Sequence, residues 1–311
     1  MFLCSPAARR FLGRLRSFSV FFFILLLSNF ALQAQYKPKD GIDSLRIKLL
    51  GKYNYLSFGL YIDTYYNMTL NGFKDTSNIV PFSANCPVAD QIRMNVAALE
   101  FAYNAEKVRG KLAIQYGDAP NLLASPSAQF IKTLRQANFG FKITDKLWID
   151  AGYMMNPVGF ESTWAVMNRI SFVTLGGYFE PGSILGAKLS YRINDKWDGG
   201  LIIGNPYSLA YGQNTHMAGQ IFINYHPQPN LLVAYSNFFG NQALADAELD
   251  NDILYNNLIV KWNLSNSIEV VGQLDVAAQT NSAMPPDTNG IAGMYSGFLQ
   301  ARYQLAEKYS L

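Results

Sequence analysis

From Ser267 to Gln279 the chain alternates without a break. Ile268, Val270, Gly272, Leu274, Val276 and Ala278 fall on one side, and Glu269, Gln273, Asp275 and Gln279 on the other. Such a period of two puts one face of a β-strand in an apolar medium and the other in water. Leu185–Ile193 repeats it, with Leu185, Ala187, Leu189, Tyr191 and Ile193 against Lys188, Ser190 and Arg192. Leu147, Ile149, Ala151, Tyr153 and Met155 oppose Trp148, Asp150 and Asn156, and Ala301, Tyr303 and Leu305 oppose Gln300, Arg302 and Gln304.

Strands of this kind are expected at about 53–67, 91–103, 107–117, 133–143, 146–156, 182–193, 196–205, 217–226, 230–240, 252–264, 267–280 and 291–305. Their connections alternate in length. Tight turns fall at 104–107, 144–146, 194–196, 226–230, 264–267 and 306–308, and long loops between them. Antiparallel hairpins with every tight turn at one end follow from that rhythm. The strands entering the tight turns end alike, in Phe141-x-Ile143, Tyr191-x-Ile193, Trp262-x-Leu264 and Tyr303-x-Leu305, with Tyr103 and Tyr225 in similar places. Those six aromatics are expected to form one ring on the outer face, where hydrocarbon meets headgroups.

The charges support the same arrangement. Asp150, Lys188, Arg192, Lys261, Glu269, Asp275 and Arg302 all lie opposite the aliphatics. A Lys or Arg facing lipid at midplane costs about 2–4 kcal/mol, whereas on an inner wall it stays hydrated. The fold expected is therefore all-β: an antiparallel transmembrane β-barrel with a polar, watery lumen. Hydrocarbon does not tolerate an open sheet edge, so closure is expected too. The formula Tyr303-x-Leu305 followed by a tight turn at 306–308 leaves only Tyr309, Ser310 and Leu311 after it. About 9–11 tilted residues are needed to cross the membrane. The sequence therefore reads as a fragment of a barrel of fourteen or more strands, with an open seam between the strands near 53–67 and 291–305.

Ahead of the strands, Arg9, Arg10, Arg14 and Arg16 precede the apolar run Val20–Leu27, and "ALQA" ends in Ala34. That is the pattern of a secretory signal peptide over 1–34 with cleavage before Gln35, the alternative being an uncleaved anchor. Residues 35–52 then form a short periplasmic lead and 53–311 the barrel. Removing 1–34 takes four of the 25 basic residues and none of the 22 acidic ones, leaving 21 against 22. The basic excess belongs to the leader and gives no reason to expect nucleic acid. Cys4 leaves with it, so Cys86 has no internal disulfide partner. Its simplest reading is an unpaired loop thiol.

The stretch "AGYMMNPVGFEST…MNRISF…YFEPGSILGAKLSYRINDKWDGGLIIGNPYS" resembles the outer-membrane β-barrel porins of the OmpL-like type. The resemblance rests on Pro157, Gly159 and Glu161, then Asn168 and Ser171, then Pro181 and Gly182. It continues through Gly186, Lys188, Leu189 and Tyr191 to the turn Asn194-Asp195. It covers about a fifth of the chain closely. It implies an outer-membrane barrel with a pore role and brings no substrate.

Catalytic chemistry is nearly absent. The two histidines, His216 and His226, are placed on opposite rims, and no Cys/His cluster has zinc spacing. Ser208 with His216 is the sole nucleophile–base candidate. "GNPYSLAYG" at 204–212 lacks the Gly-Lys-Ser/Thr of a phosphate loop. No enzyme activity, metal or cofactor is expected.

The segment Pro157–Pro181 holds Phe160, Trp164, Phe172, Tyr178 and Phe179 together with Glu161, Arg169 and Glu180. Folded inward it would narrow the pore, with Glu161, Arg169 and Glu180 as constriction residues and the first two opposed across the opening. Folded outward it would lie on the rim with its aromatics in the interfacial belt. The function expected is passive diffusion of small hydrophilic solutes across a bacterial outer membrane, after Sec-type export. The rival is a plugged structural or adhesive barrel. Lipid, solutes and a further copy of the chain are the partners in view.

Overall fold

The structure, a computed structural model, describes residues 56–69, 78–123, 132–205, 216–243, 248–282, 290–306 and 309–310. The leader with its cleavage point, the lead to 52, and Ser208 lie outside these residues.

The long strands are β1 (Leu56–Tyr66), β2 (Ile92–Asn104), β3 (Val108–Tyr116), β4 (Leu134–Lys142), β5 (Leu147–Met155) and β6 (Ser183–Arg192). They continue as β7 (Trp197–Gly204), β8 (Ala218–Gln228), β9 (Leu231–Asn241), β10 (Asp252–Asn263), β11 (Ile268–Gln279) and β12 (Ala292–Ala306). A two-residue β13 (Tyr309–Ser310) follows. Each pairs antiparallel with its neighbours in chain order, forming one sheet. The short helices α1 (Asp118–Leu123) and α2 (Leu175–Tyr178) and a 3-10 turn (Ala165–Met167) sit in the long loops. Among the described residues no ladder joins β1 to β12 or β13. The sheet is therefore unclosed, with the seam where the sequence leads one to expect it.

Three of the tight turns share one device. Asn194 Oδ1 accepts from the backbone N–H of Lys196 and Trp197 at 2.8 and 2.9 Å. Thr144 Oγ1 accepts from Lys146 and Leu147 at 3.3 and 3.1 Å, and Ser265 Oγ from Ser267 and Ile268 at 3.2 and 3.1 Å. The first turn residue thus supplies a side-chain oxygen that mimics a backbone acceptor. That is why the chain repeats Thr-Asp-Lys, Asn-Asp-Lys and Ser-Asn-Ser between strands. One turn falls elsewhere than expected: β8 runs on to Gln228, so His226 belongs to a strand end and bonds Asp198 Oδ2 at 3.1 Å.

The two faces of the sheet carry inverted polarity. On β11, Glu269, Gln273 and Asp275 are buried while Leu274 is 61% exposed. On β10, Asn257 is buried while Leu258, Val260 and Trp262 are exposed. Leu185, Leu189, Leu201 and Ile203 show the same outward greasiness. A water-soluble sandwich buries its aliphatics; this sheet turns them out and hides its carboxylates and amides, as a wall between lipid and lumen must. Tyr103, Phe141, Tyr191, Trp262 and Tyr303 are exposed at the tight-turn end, and Tyr225 stacks on Trp197 with ring centroids 4.2 Å apart.

The interior differs from expectation in one respect. At the long-loop end of β5–β10, Met154, Ile184, Ile202, Phe238, Ile253 and Tyr255 form a buried apolar cluster with Val158 from the following loop. The inner face there meets protein rather than water, because Val158 folds back onto it.

Candidate functional site: a strap across the barrel interior

The β5–β6 loop, 156–182, is the feature around which the inner wall is organised. Its outgoing arm begins at Gly159, whose φ of +81° favours glycine. A Cβ there would also run into the Glu180 carboxylate, so Gly159 lets the two arms of the loop touch. Asn168 then clamps the loop to itself, accepting from Ser162 N and donating to Ser162 O, both at 2.7 Å. Gly159, Glu161 and Asn168 of the recognised motif are thus residues that shape this loop.

One end is anchored on β1–β4. Trp164 is 2% exposed and packs with Val96, Ala98 and Ala119. It stacks on Tyr61 at 5.3 Å, lies under the Arg135 guanidinium at 4.3 Å, and donates from Nε1 to Gln115 Oε1 at 3.1 Å. Arg135 donates to Thr163 Oγ1 and Ser162 Oγ at 3.1 and 3.0 Å.

The other end reaches β10–β12. Gly159 N donates to Asn257 Oδ1 at 3.2 Å and Phe160 N to Gln273 Oε1 at 2.8 Å. Arg169 pairs with Glu269, which also takes Lys261 at 3.3 Å. Gln300 Nε2 donates to Glu161 Oε1 at 3.0 Å, and Glu161 Oε2 accepts from Thr174 N and Oγ1 at 2.8 and 2.7 Å. Gln273 Nε2 donates to both Glu180 and Asp275. In a flat sheet, β11 lies five strand spacings from β6, roughly 24 Å at about 4.8 Å each. Contact with β1–β4 and β10–β12 at once means that the sheet curls around the loop, which crosses the interior as a strap.

The candidate constriction residues Glu161, Arg169 and Glu180 all contact the inner wall, each on its own partner. None of the described ion pairs joins them. Arg169 is spent on Glu269, and Glu161 on Thr174 and Gln300. Glu180 is half-buried against Gln273. Burial pushes its carboxyl up to about 8, with the Asp275 and Glu161 carboxylates adding to the rise against the pull of the Gln273 amide. Of the aromatics expected in an outer belt on the rim reading, Trp164 is buried within. Phe82 meets Tyr178 and Phe179 edge-on and tilted, at 5.8 and 6.3 Å.

Apart from Asp275, which takes the amides of Asn257 and Gln273, the wall charges lie beside a charge of opposite sign. Asp150 receives Arg109, with Nε to Oδ1 at 2.6 Å, and has Lys188 at 4.0 Å. Arg302 stands opposite Glu269 in the β11–β12 register, and Arg192 opposite Asp198 in β6–β7. Arg109 and Lys111 went unremarked in the sequence although they alternate with Gly110, Leu112 and Ile114 as the inner face requires. Arg135 had no such signal. Ala113 pairs with Gln136 and Ile114 with Leu134, so Arg135 is the extra residue of a β-bulge. A bulge re-aims its side chain, here toward the strap. Asn95 is a second case, skipped between the Asp63–Val96 and Thr64–Met94 pairs and donating to Asp63 Oδ2 at 2.7 Å. Cys86 sits with φ +55°, and burial pushes its thiol up to about 11.

No curated protein matches the chain by sequence. Among solved structures it is similar to in-vitro folded OmpT, an outer membrane protein of Vibrio cholerae, at 9% identity and TM-score 0.39, covering 81% of this chain and 83% of that one. It is also similar to OccAB4 of Acinetobacter baumannii, at 12% identity and TM-score 0.34, covering 80% and 66%. At these scores the likenesses add nothing to what the ladders show. A family model does: the one described as "Putative beta-barrel porin-2, OmpL-like" matches residues 55–311, and the chain belongs to that family of β-barrel porins.

Proposed function

We propose that this porin-type barrel is a channel for passive diffusion of small hydrophilic solutes across the outer membrane, without enzymatic activity or a cofactor. The observation that carries the reading is the combination of a polar inner wall, a greasy outer wall and a strap that narrows the space between. Paired wall charges of both signs, Asp150 with Arg109 and Lys188, and Glu269 with Arg169 and Lys261, support weak rather than strong ion preference. The reading includes export by a leader cut before Gln35, a short lead to residue 52, contact with outer-membrane lipid and room for homo-oligomers. Its test is conductance in planar bilayers with reversal potentials under a salt gradient. Discrete steps with modest selectivity support it.

The apolar cluster around Ile202 and Phe238 favours a second reading, a plugged barrel with a structural or adhesive role. Folded protein that inserts into bilayers yet gives no current above background would establish that alternative.

A further inference from the structure

The strap is not fastened equally at its two ends. On β1–β4 it is held by a buried Trp164 and a cation, Arg135. On β11–β12 three carboxylates meet. Glu180 and Asp275 share the Gln273 amide, Glu161 takes the Gln300 amide, and Gln300 is itself 9% exposed with its Oε1 lacking a hydrogen-bond partner. The charged groups facing Glu180 are Asp275 from β11 and Glu161 from the loop. From β10 the neighbouring contact is Asn257 and from β12 Ser296 and Gln300, all neutral, while Lys261 and Arg169 are committed to Glu269. Ionised together, the three carboxylates would repel one another across a half-buried contact.

We infer that this contact is a proton-operated latch: with Glu180 protonated the strap lies against β11–β12, and loss of that proton to solvent loosens this end while Trp164 keeps the other in place. The step is a simple dissociation, in which the carboxyl O–H breaks and the proton passes to bulk water or buffer. In the released loop Glu180 would return towards the ordinary glutamate value of about 4.3, whereas docked it lies near 8. Docking therefore takes up a proton. Its equilibrium constant falls by up to tenfold per pH unit between those two values and levels off above the docked one. Stabilisation is complete at acid pH and lost as pH rises. In the channel reading, on which the gating consequence rests, alkalinisation opens the constriction.

The test uses the full chain folded in phosphatidylcholine vesicles, with hydrogen exchange of peptides covering 157–181 followed from pH 5 to pH 9 and corrected for intrinsic exchange. Expected is a fall in protection of about tenfold per pH unit up to pH 8, then a plateau. Glu180→Gln should stay protected throughout. Asp275→Asn should shrink the response, and it decides the matter if Glu180→Gln does not fold. Protection independent of pH in the parent, or an unchanged response in either folded variant, overturns the latch. Conductance recorded in parallel separates the two claims. Loosening without any current leaves the latch intact and removes the pore, whereas current that ignores pH beside pH-independent protection removes the latch alone.

Discussion

At the scale of single residues, the smallest repeated decision in this chain is the oxygen at the head of a tight turn. Asn194, Thr144 and Ser265 each answer two backbone N–H groups, and each turn projects into solvent. Asn194→Ala should lower stability by about 1 kcal/mol, the net worth of a hydrogen bond or two at an exposed site, with strand register retained. Urea unfolding in lipid vesicles would check it, and a loss above about 3 kcal/mol would mean that the turn also sets the register. These residues were readable because turn chemistry is local. Arg135 was not, for the opposite reason. Alternation assigns it to the lipid side, and only the extra residue between the Ala113–Gln136 and Ile114–Leu134 pairs turns it inward. A bulge depends on the partner strand, which the local sequence does not name.

At the scale of elements, the strands were legible almost to their ends, since each must satisfy lipid on one side. The medium fixes the period, and the period fixes the strand. The strap was legible only in part. Its aromatic and charged content marked it as special, but its partners, Gln273, Gln300, Asn257 and Gln115, are unremarkable wall amides until the sheet curls. The apolar cluster at Ile202 and Phe238 was missed because alternation reports the solvent of a face and not whether a loop has displaced it. Two predictions belong here. Replacing Glu161 and Arg169 together by alanine frees Gln300 and leaves Glu269 to Lys261, so the strap keeps only its Gly159, Phe160 and Glu180 contacts there and should shift in the lumen. Single-channel conductance or ion preference should change while the β-sheet circular dichroism is kept; unchanged currents from a folded variant would return the loop to a packing role. On the outer wall, Leu258→Arg places a cation at the middle of β10 facing lipid and should cost about 2–4 kcal/mol. Reversible unfolding in bilayers measures this, and a negligible cost would mean that the face does not meet hydrocarbon.

At the scale of the whole molecule, the arginine-flanked apolar run at the start of the sequence carries a prediction of its own. A leader over 1–34 predicts that membrane-extracted protein begins near Gln35. N-terminal mass spectrometry should find no peptide spanning Arg16–Phe30, and its persistence on the membrane-resident form would argue for an anchor. The alternating strands matter here before any of them has folded. The mean hydropathy of the chain is +0.02, and alternation spreads its aliphatics between polar neighbours along each strand. No helix among the described residues is long and apolar enough to cross a membrane. The greasy exterior does not exist as a property of any segment. It comes into being when neighbouring strands zip together and sort their side chains to opposite faces. Evenly mixed along the chain and two-faced in the sheet, one alternating text thus has two readings, and strand pairing converts the first into the second.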